Sequence, residues 1–219
     1  LNYITSGKYQ VNTTEDSNED IYTVISGDNL SSPLDVFKNK NTLARLNTSL
    51  TRKSLACYKT NDILHILYSE DTYVSSAVRT RTISYYQYDV VLDTFTLKDT
   101  ISDATNDQDE YRVGNIVEFN GDLYFSSYYH NTHLNGAYSI NDSEYKSKLY
   151  KINSTTNLAE LQSNIMVYND VWGAEFTTDT AVLKRSISTN IRPSKTQLQV
   201  FDSKLYAYTI SENTSTHQA

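Results

Sequence analysis

Short runs of alternating apolar and polar residues occur along the chain, separated by Asn, Asp and Ser residues that favour turns. One pattern occurs three times and predicts a strand, a tight turn and a second strand. Its copies are residues 55–58 with 62–68, 116–119 with 122–125, and 198–201 with 204–208. The aromatic residue that we predict before each turn is Tyr58, Phe119 or Phe201. Asn120-Gly121 is a preferred pair for a type I′ turn, and Asp202-Ser203 is a weaker version of it.

A second pattern follows the first at a regular distance along the chain. Residues 34–46 and 149–161 align without a gap, and residues 85–97 form a looser third copy. We interpret this pattern as an outer hairpin that lies beside the first one, with Asn, Ser, Thr and Asp in its turn. The two hairpins together give four strands in about 45 residues, which is the size of a β-propeller blade.

The repeats predict an all-β, β-propeller-like fold with four-stranded antiparallel blades, in a single domain over residues 1–219. The blade-like units are residues 8–50, 55–100, 116–162 and 198–219. Residues 163–197 have no place in this pattern, although 165–168 and 182–187 fit two further strands. A β-sandwich is the alternative, because it also shows short strands with turns at regular spacing. We favour the propeller, since sandwich strands do not normally repeat residue by residue.

Two of the four predicted units are partial, and a closed propeller has at least about four complete blades. We therefore expect an incomplete ring with unpaired strand edges. Such edges promote aggregation unless they are covered. The missing strands are expected from another segment of a longer precursor or from a partner chain.

Three segments carry resemblances to known families. Residues 121–127 and 147–153 resemble blades of TolB-like and kelch-like propellers. Arg192-Pro193, followed after a turn by Lys204-Leu205, is similar to a segment of the nozzle, or tail-tubular, proteins of short-tailed bacteriophages. Lys204 stands where Arg is more usual in that family, and the turn lacks its Gly. This resemblance implies a propeller around a DNA exit channel and a place in the virion.

The net charge and the lengths of the apolar runs indicate which classes of binding partner to expect. The formal net charge is −7 and the pI is about 5.0, which opposes the phosphate-neutralising surface that nucleic-acid binding requires. No apolar run approaches the about 20 residues of a membrane-spanning helix. We therefore predict no sequence-specific nucleic-acid partner and no membrane partner. Other protein chains or the rest of a longer polypeptide are the predicted partners, with a glycan as a further option.

Candidate chemistry in the sequence is sparse. His130 and His133 form a His-x-x-His pair, but the stretch follows a predicted strand and has no evident third ligand, so a solvated loop is favoured over a metal site. No nucleophile elbow occurs, and Cys57 lies in a predicted strand without a marked base. Acidic residues cluster at 15–20 and 103–110, where solvated loops are favoured over calcium sites. We predict no catalytic residue, cofactor or metal.

Four of the predicted binding residues lie in a Tyr-rich loop at 128–138, and the fifth is the only tryptophan. They are Tyr128, Tyr129, His130, Tyr138 and Trp172. Exposed rings with side-chain amides suit sugars and flat protein surfaces. For Trp172 a core position is the alternative.

Three functions remain open after the sequence. The leading hypothesis is a non-enzymatic structural or adhesive module, such as a virion tail component. The second is a secreted or cell-surface propeller that binds carbohydrate or protein. The third is a hydrolytic enzyme whose site converges from several blades.

Overall fold

The computed structural model describes residues 9–27, 33–47, 51–75, 78–103, 109–131, 144–169, 175–177, 182–184 and 191–213. Every element in these ranges is a β-strand. The chain divides into two compact units, Leu1–Ala104 and Thr105–Ala219, which we call unit 1 and unit 2. The all-β prediction is confirmed.

Unit 1 contains two antiparallel sheets, each with four strands in chain order. The first sheet consists of β1 (Tyr9–Glu15), β2 (Ile21–Gly27), β3 (Leu34–Lys38) and β4 (Asn41–Leu46). The second sheet consists of β5 (Thr51–Thr60), β6 (Ile63–Ser75), β7 (Val78–Asp89) and β8 (Thr94–Asp103). The two sheets correspond to the predicted units at 8–50 and 55–100.

Unit 2 contains a six-stranded antiparallel sheet and a two-stranded hairpin. The sheet consists of β9 (Asp109–Phe119), β10 (Asp122–Asn131), β11 (Glu144–Ile152), β12 (Ala159–Asn169), β13 (Glu175–Thr177) and β14 (Val182–Lys184). The hairpin consists of β15 (Ile191–Phe201) and β16 (Lys204–Asn213). The first four strands of the sheet correspond to the predicted unit at 116–162.

In the unplaced segment at 163–197 the structure describes the end of β12, the strands β13 and β14, and the start of β15. Residues 165–168 are not a separate strand, because β12 continues through them in pairing with β11. Register shifts along this ladder accommodate the interruption in the apolar pattern. Residues 182–184 form β14, which confirms a strand at that position. The last hairpin begins at Ile191, seven residues before the predicted start at 198.

The turns of the inner hairpins follow the sequence closely in two copies. Asn120 and Gly121 have φ of 53° and 80°, and Asp202 and Ser203 have φ of 48° and 54°. These positive values are those that a two-residue hairpin turn requires, so both predicted turns are confirmed.

The third inner hairpin differs from the prediction. Its turn lies at residues 61 and 62, so Thr60 and not Tyr58 precedes the turn and pairs with Ile63. Tyr58 pairs with His65 farther along the ladder. The predicted equivalence of Tyr58 with Phe119 and Phe201 was therefore wrong, because two further residues extend this strand before the chain reverses.

The two outer hairpins that align without a gap have different turns. Asn39 and Lys40 have φ of 49° and 73° and close a two-residue turn. In the second copy Ile152 pairs with Ala159, and the longer connection is held by Asn153, whose Oδ1 accepts the N–H groups of Thr155 and Thr156. Similar sequences thus give different strand registers, because the side chain of one asparagine stabilises a wider turn.

The core of unit 1 lies between its two sheets. Alternate residues of β2 point into it, so Tyr22 and Val24 are buried while Ile21 on the opposite face is exposed. The core cluster consists of Tyr22, Val24, Leu34, Val36, Leu55, Cys57, Leu64, Ile66, Tyr68 and Tyr88. Burial of this apolar surface, at about 25 cal/mol per Å², is the main source of stability for the stacked sheets.

One tertiary interaction recurs in both units. In unit 1, Asn12 of β1 accepts the backbone N–H of Cys57 of β5 at 3.0 Å. In unit 2, Asn115 of β9 accepts the N–H of Leu198 of β15 at 2.7 Å and donates to its carbonyl at 2.8 Å. In each case an asparagine of the first strand of one sheet binds the first strand of the next. We call this the asparagine clasp.

Candidate functional site

The predicted Tyr-rich binding loop begins inside a strand. Tyr128, Tyr129 and His130 lie in β10, which continues to Asn131 and pairs with β9 and β11. Only 6% of the surface of Tyr128 is exposed. The expectation of an exposed ring at this position was therefore wrong, because the strand continues and the ring packs on its sheet.

The other predicted binding residues are described only in part. Tyr129 and His130 have backbone positions in β10, and their side chains lie outside the described part of the structure. Tyr138, Trp172 and His133 lie outside the described residues altogether. Binding by these residues stays a prediction.

Two carboxylates of the acidic cluster at 15–20 make local contacts. Oδ1 of Asp16 accepts the backbone N–H groups of Asn18 and Asp20 and so closes the β1–β2 turn. Asp20 lies 2.7 Å from Lys38 Nζ, and the hydrogen bond from Lys38 lowers the pKa of Asp20 below its ordinary value. Within the described ranges, no group of three or more His, Cys, Asp or Glu side chains has the arrangement of a metal site.

A cleft lies on the outer face of the first sheet, opposite the core. Its volume is about 500 Å³. The lining residues are Ile21, Thr23, Ile25, Phe37, Asn39 and Lys40. Ile21 is 49% exposed, while Phe37 is buried at the base. We call the surface formed by Ile21, Thr23, Ile25 and Phe37 the open face.

An ion pair lies beside the open face. Asp35 pairs directly with Ile25 across β2 and β3, so its side chain points to the same side. Both carboxylate oxygens of Asp35 accept hydrogen bonds from Arg45, at 2.6 and 3.0 Å. The bidentate contact compensates a carboxylate that is almost fully buried. The open face therefore carries no uncompensated charge at this position.

A second exposed surface lies on the β15–β16 hairpin. The antiparallel register places alternate residues of the two strands on one face. Those residues are Gln197, Gln199, Phe201, Lys204, Tyr206 and Tyr208, and we call them the hairpin platform. Phe201 is 67% exposed, and Tyr206 and Tyr208 are each 44% exposed. The Tyr208 hydroxyl donates to Oε1 of Gln197 at 2.9 Å, which fixes one ring and one amide in place.

Two lysines lie over one tyrosine near the β1–β2 turn. The Nζ atoms of Lys38 and Lys59 are 5.7 and 5.2 Å from the centroid of the Tyr22 ring. Burial lowers the pKa of Lys59. Each contact stabilises the rim of the core by about 0.5–1 kcal/mol.

A buried polar network crosses the second sheet at His65. Its Nδ1 lies 2.6 Å from the Tyr85 hydroxyl, and its Nε2 lies 2.7 Å from Oγ1 of Thr60. Gln87 donates to the Tyr85 oxygen, so Tyr85 can donate its hydrogen to Nδ1 while Nε2–H donates to Thr60. These contacts are all satisfied by a neutral imidazole. Burial, with a smaller contribution from Lys59, lowers the pKa of His65 to about 4.

Neither the open face nor the hairpin platform was predicted from the sequence as a site. The signal available for the platform was the spacing of its residues. Gln197 and Gln199 are two positions apart, as are Tyr206 and Tyr208, which places each pair on one face of a strand. The alternation of Ile21, Thr23 and Ile25 was the signal for the open face. Alternation alone does not tell which face of a strand is covered, so the sequence left both surfaces unrecognised.

Comparison with known proteins adds no family assignment. Over the part of the chain that the structure describes, no helix has the length and hydropathy needed to span a membrane. The sequence matches no protein-family model and no curated protein.

Proposed function

We propose that this chain is a non-enzymatic structural module that assembles with further β-sheets of a larger protein complex. The observation that carries the proposal is the open face of the first sheet. Ile21, Ile25 and Phe37 are apolar, like the residues on the opposite face, which the second sheet covers. An apolar sheet face is most stable when it packs on another layer, so a further β-sheet is the occupant that the open face fits.

The topology supports blades of the propeller type for this module. Strands β1–β4 and β5–β8 each follow one another in chain order, without the crossing connections of a Greek-key sandwich. Successive sheets pack through their first strands, β1 against β5 in unit 1 and β9 against β15 in unit 2. The asparagine clasp repeats at both junctions. A repeated blade that is covered on both faces accounts for these features together.

The virion tail is the setting that we propose for the assembly. The support is the resemblance of Arg192-Pro193 and the following hairpin to nozzle proteins of short-tailed bacteriophages. Arg192 and Pro193 lie at the start of β15, before a register shift between Pro193 and Lys195.

Sedimentation velocity tests whether the open face drives association. The wild-type chain is expected to associate as its concentration rises, because Ile21 and the cleft expose apolar surface to water. Ile21→Lys is expected to sediment as a monomer, since a charge on this face must be desolvated on packing. Val91→Lys is the matched control, because Val91 is 70% exposed in the β7–β8 turn, and it should associate like the wild type.

A wild-type chain that remains monomeric and unfolds cooperatively at every concentration would contradict the proposal. Equal association of Ile21→Lys and the wild type would place the contact elsewhere. Circular dichroism of each variant establishes that the fold is retained.

A further inference from the structure

One strand of the hairpin platform, β15, is anchored from behind. Thr196 and Leu198, which point away from the platform, are buried, and β15 packs against β9 and β10. Ser126 donates to the Thr196 carbonyl at 2.8 Å, and the asparagine clasp binds Leu198. The strand β15 is therefore anchored up to Leu198, whereas Val200 on the same side of the hairpin is 40% exposed.

The rings of the platform are arranged as a row. Tyr206 and Tyr208 are two residues apart on one strand, so their side chains emerge about 7 Å apart. Phe201 is diagonal to Tyr206, because Gln199 is the residue directly opposite Tyr206. Such spacing lets neighbouring rings contact different sugar residues of one oligosaccharide.

The composition of the platform differs from that of the packed sheet faces in this chain. The core between the two sheets of unit 1 combines Val, Leu and Ile with its aromatic residues. The platform has aromatic rings, two glutamines and Lys204, and no aliphatic residue. Rings that stack on sugar C–H groups and amides that both donate and accept hydrogen bonds suit a glycan better than another β-sheet.

The charge of the platform points to the kind of glycan. Lys204 is exposed on the platform, and none of the six platform residues carries a carboxylate. Lys195, farther along β15, is half-buried. Asp202 lies in the turn beyond them. In a chain of net charge −7, a lysine-bearing face complements a ligand with carboxylate groups.

From these observations we propose that the hairpin platform binds an acidic glycan, with Phe201, Tyr206 and Tyr208 stacking on its sugar rings and Lys204 facing its carboxylates. The platform lies in unit 2, and the open face lies in unit 1. The proposal therefore goes beyond the assembly function and does not depend on it.

Affinity electrophoresis with four defined polysaccharides tests the inference. Alginate and hyaluronan carry carboxylates, and laminarin and dextran are neutral. The wild-type chain is expected to be retarded by at least one of the carboxylated polymers more than by the neutral ones. Tyr206→Ala should weaken that binding by about threefold to tenfold, the range expected for loss of one ring contact.

Matched variants test whether the aromatic ring of Tyr206 itself contributes to binding. Tyr206→Phe keeps the ring and should bind like the wild type, and Leu161→Ala removes an exposed side chain of unit 2 outside the platform and should also have no effect. Lys204→Gln should reduce the preference for carboxylated over neutral polymers, because it removes the charge and keeps a polar side chain.

Absence of retardation by all four polymers would overturn the inference, as would equal binding by Tyr206→Ala and the wild type. Sedimentation gives an independent answer. If Tyr206→Ala abolishes self-association, the platform is a protein interface and the glycan proposal fails. If Ile21→Lys has no effect on association while Tyr206→Ala loses polymer binding, the assembly proposal fails and the glycan proposal stands.

Discussion

Replacing Gly114 with alanine is expected to lower the free energy of unfolding of unit 2 by about 3 kcal/mol or more. A Cβ atom on Gly114 would overlap the Thr196 carbonyl oxygen and the Ser126 hydroxyl. The carbonyl belongs to the backbone of β15 and cannot move without displacing the hairpin. The substitution would also break the Ser126–Thr196 hydrogen bond and strain the neighbouring Asn115 clasp.

Urea denaturation followed by circular dichroism measures this effect. Gly121→Asn is the matched control, because Gly121 has φ of 80° in an open turn with no neighbouring atom within 4 Å of a Cβ. Asparagine tolerates positive φ, so this control should change stability by less than about 1 kcal/mol. Equal stability of Gly114→Ala and the wild type would show that β9 and β15 do not approach as closely as described.

Acidification should destabilise unit 1 through His65. The pKa of His65 is about 4 in the folded protein, whereas an unfolded histidine titrates near 6.5. Between these values the unfolded chain binds more protons than the folded one, so stability is present above about pH 6.5 and is lost as the pH falls toward 4. The loss attributable to this one group is at most about 3 kcal/mol. Protonation of Nδ1 would also remove the acceptor for the Tyr85 hydroxyl.

Comparing the pH dependence of stability of the wild type and of His65→Gln isolates the contribution of His65. His65→Gln retains a donor toward Thr60 but cannot gain a proton, so its stability should depend less on pH between 6.5 and 4 than that of the wild type. Its absolute stability does not matter for this comparison, because only the slope is read. Parallel profiles for the two proteins would contradict the assigned burial of a neutral His65.

Local structure was predictable where side chains specify the backbone directly. Asn120-Gly121 and Asp202-Ser203 predicted their turns because these residues tolerate positive φ, and the neighbouring alternation predicted the paired strands. The repetition of hairpin patterns correctly indicated four-stranded antiparallel sheets. All of these features depend on contacts between residues that are close in sequence.

Features that depend on how far a strand extends, or on contacts between residues distant in sequence, were predicted less well. Tyr128 was expected to be exposed, but continuation of β10 places it in a packed sheet. The register of the outer hairpin at 149–161 depends on how Asn153 caps its turn, which an ungapped sequence match does not reveal. Tyr58 was misplaced for a related reason, since the strand continues two residues beyond it.

The candidate surfaces depend on which faces of the sheets are covered. Ile21 and Tyr22 are adjacent in sequence and both apolar, yet one is exposed and the other lies in the core. The clasp by Asn115 joins positions 83 residues apart, and nothing in its local sequence distinguishes it from the many other asparagines. Only the stacking of sheets identifies the open face and the hairpin platform.

Reaction of an introduced thiol at the open face is the most direct test of the assembly proposal. Cys57 is buried and its pKa is raised to about 12 by that burial, so it provides an unreactive background. The thiol of an Ile21→Cys variant would be labelled with a maleimide in the dilute monomer and in the associated state, with Val91→Cys as the exposed control. The account predicts labelling of Ile21→Cys at least about tenfold slower on association, because packing excludes the reagent, and no change for Val91→Cys. Equal rates for Ile21→Cys in both states would contradict it.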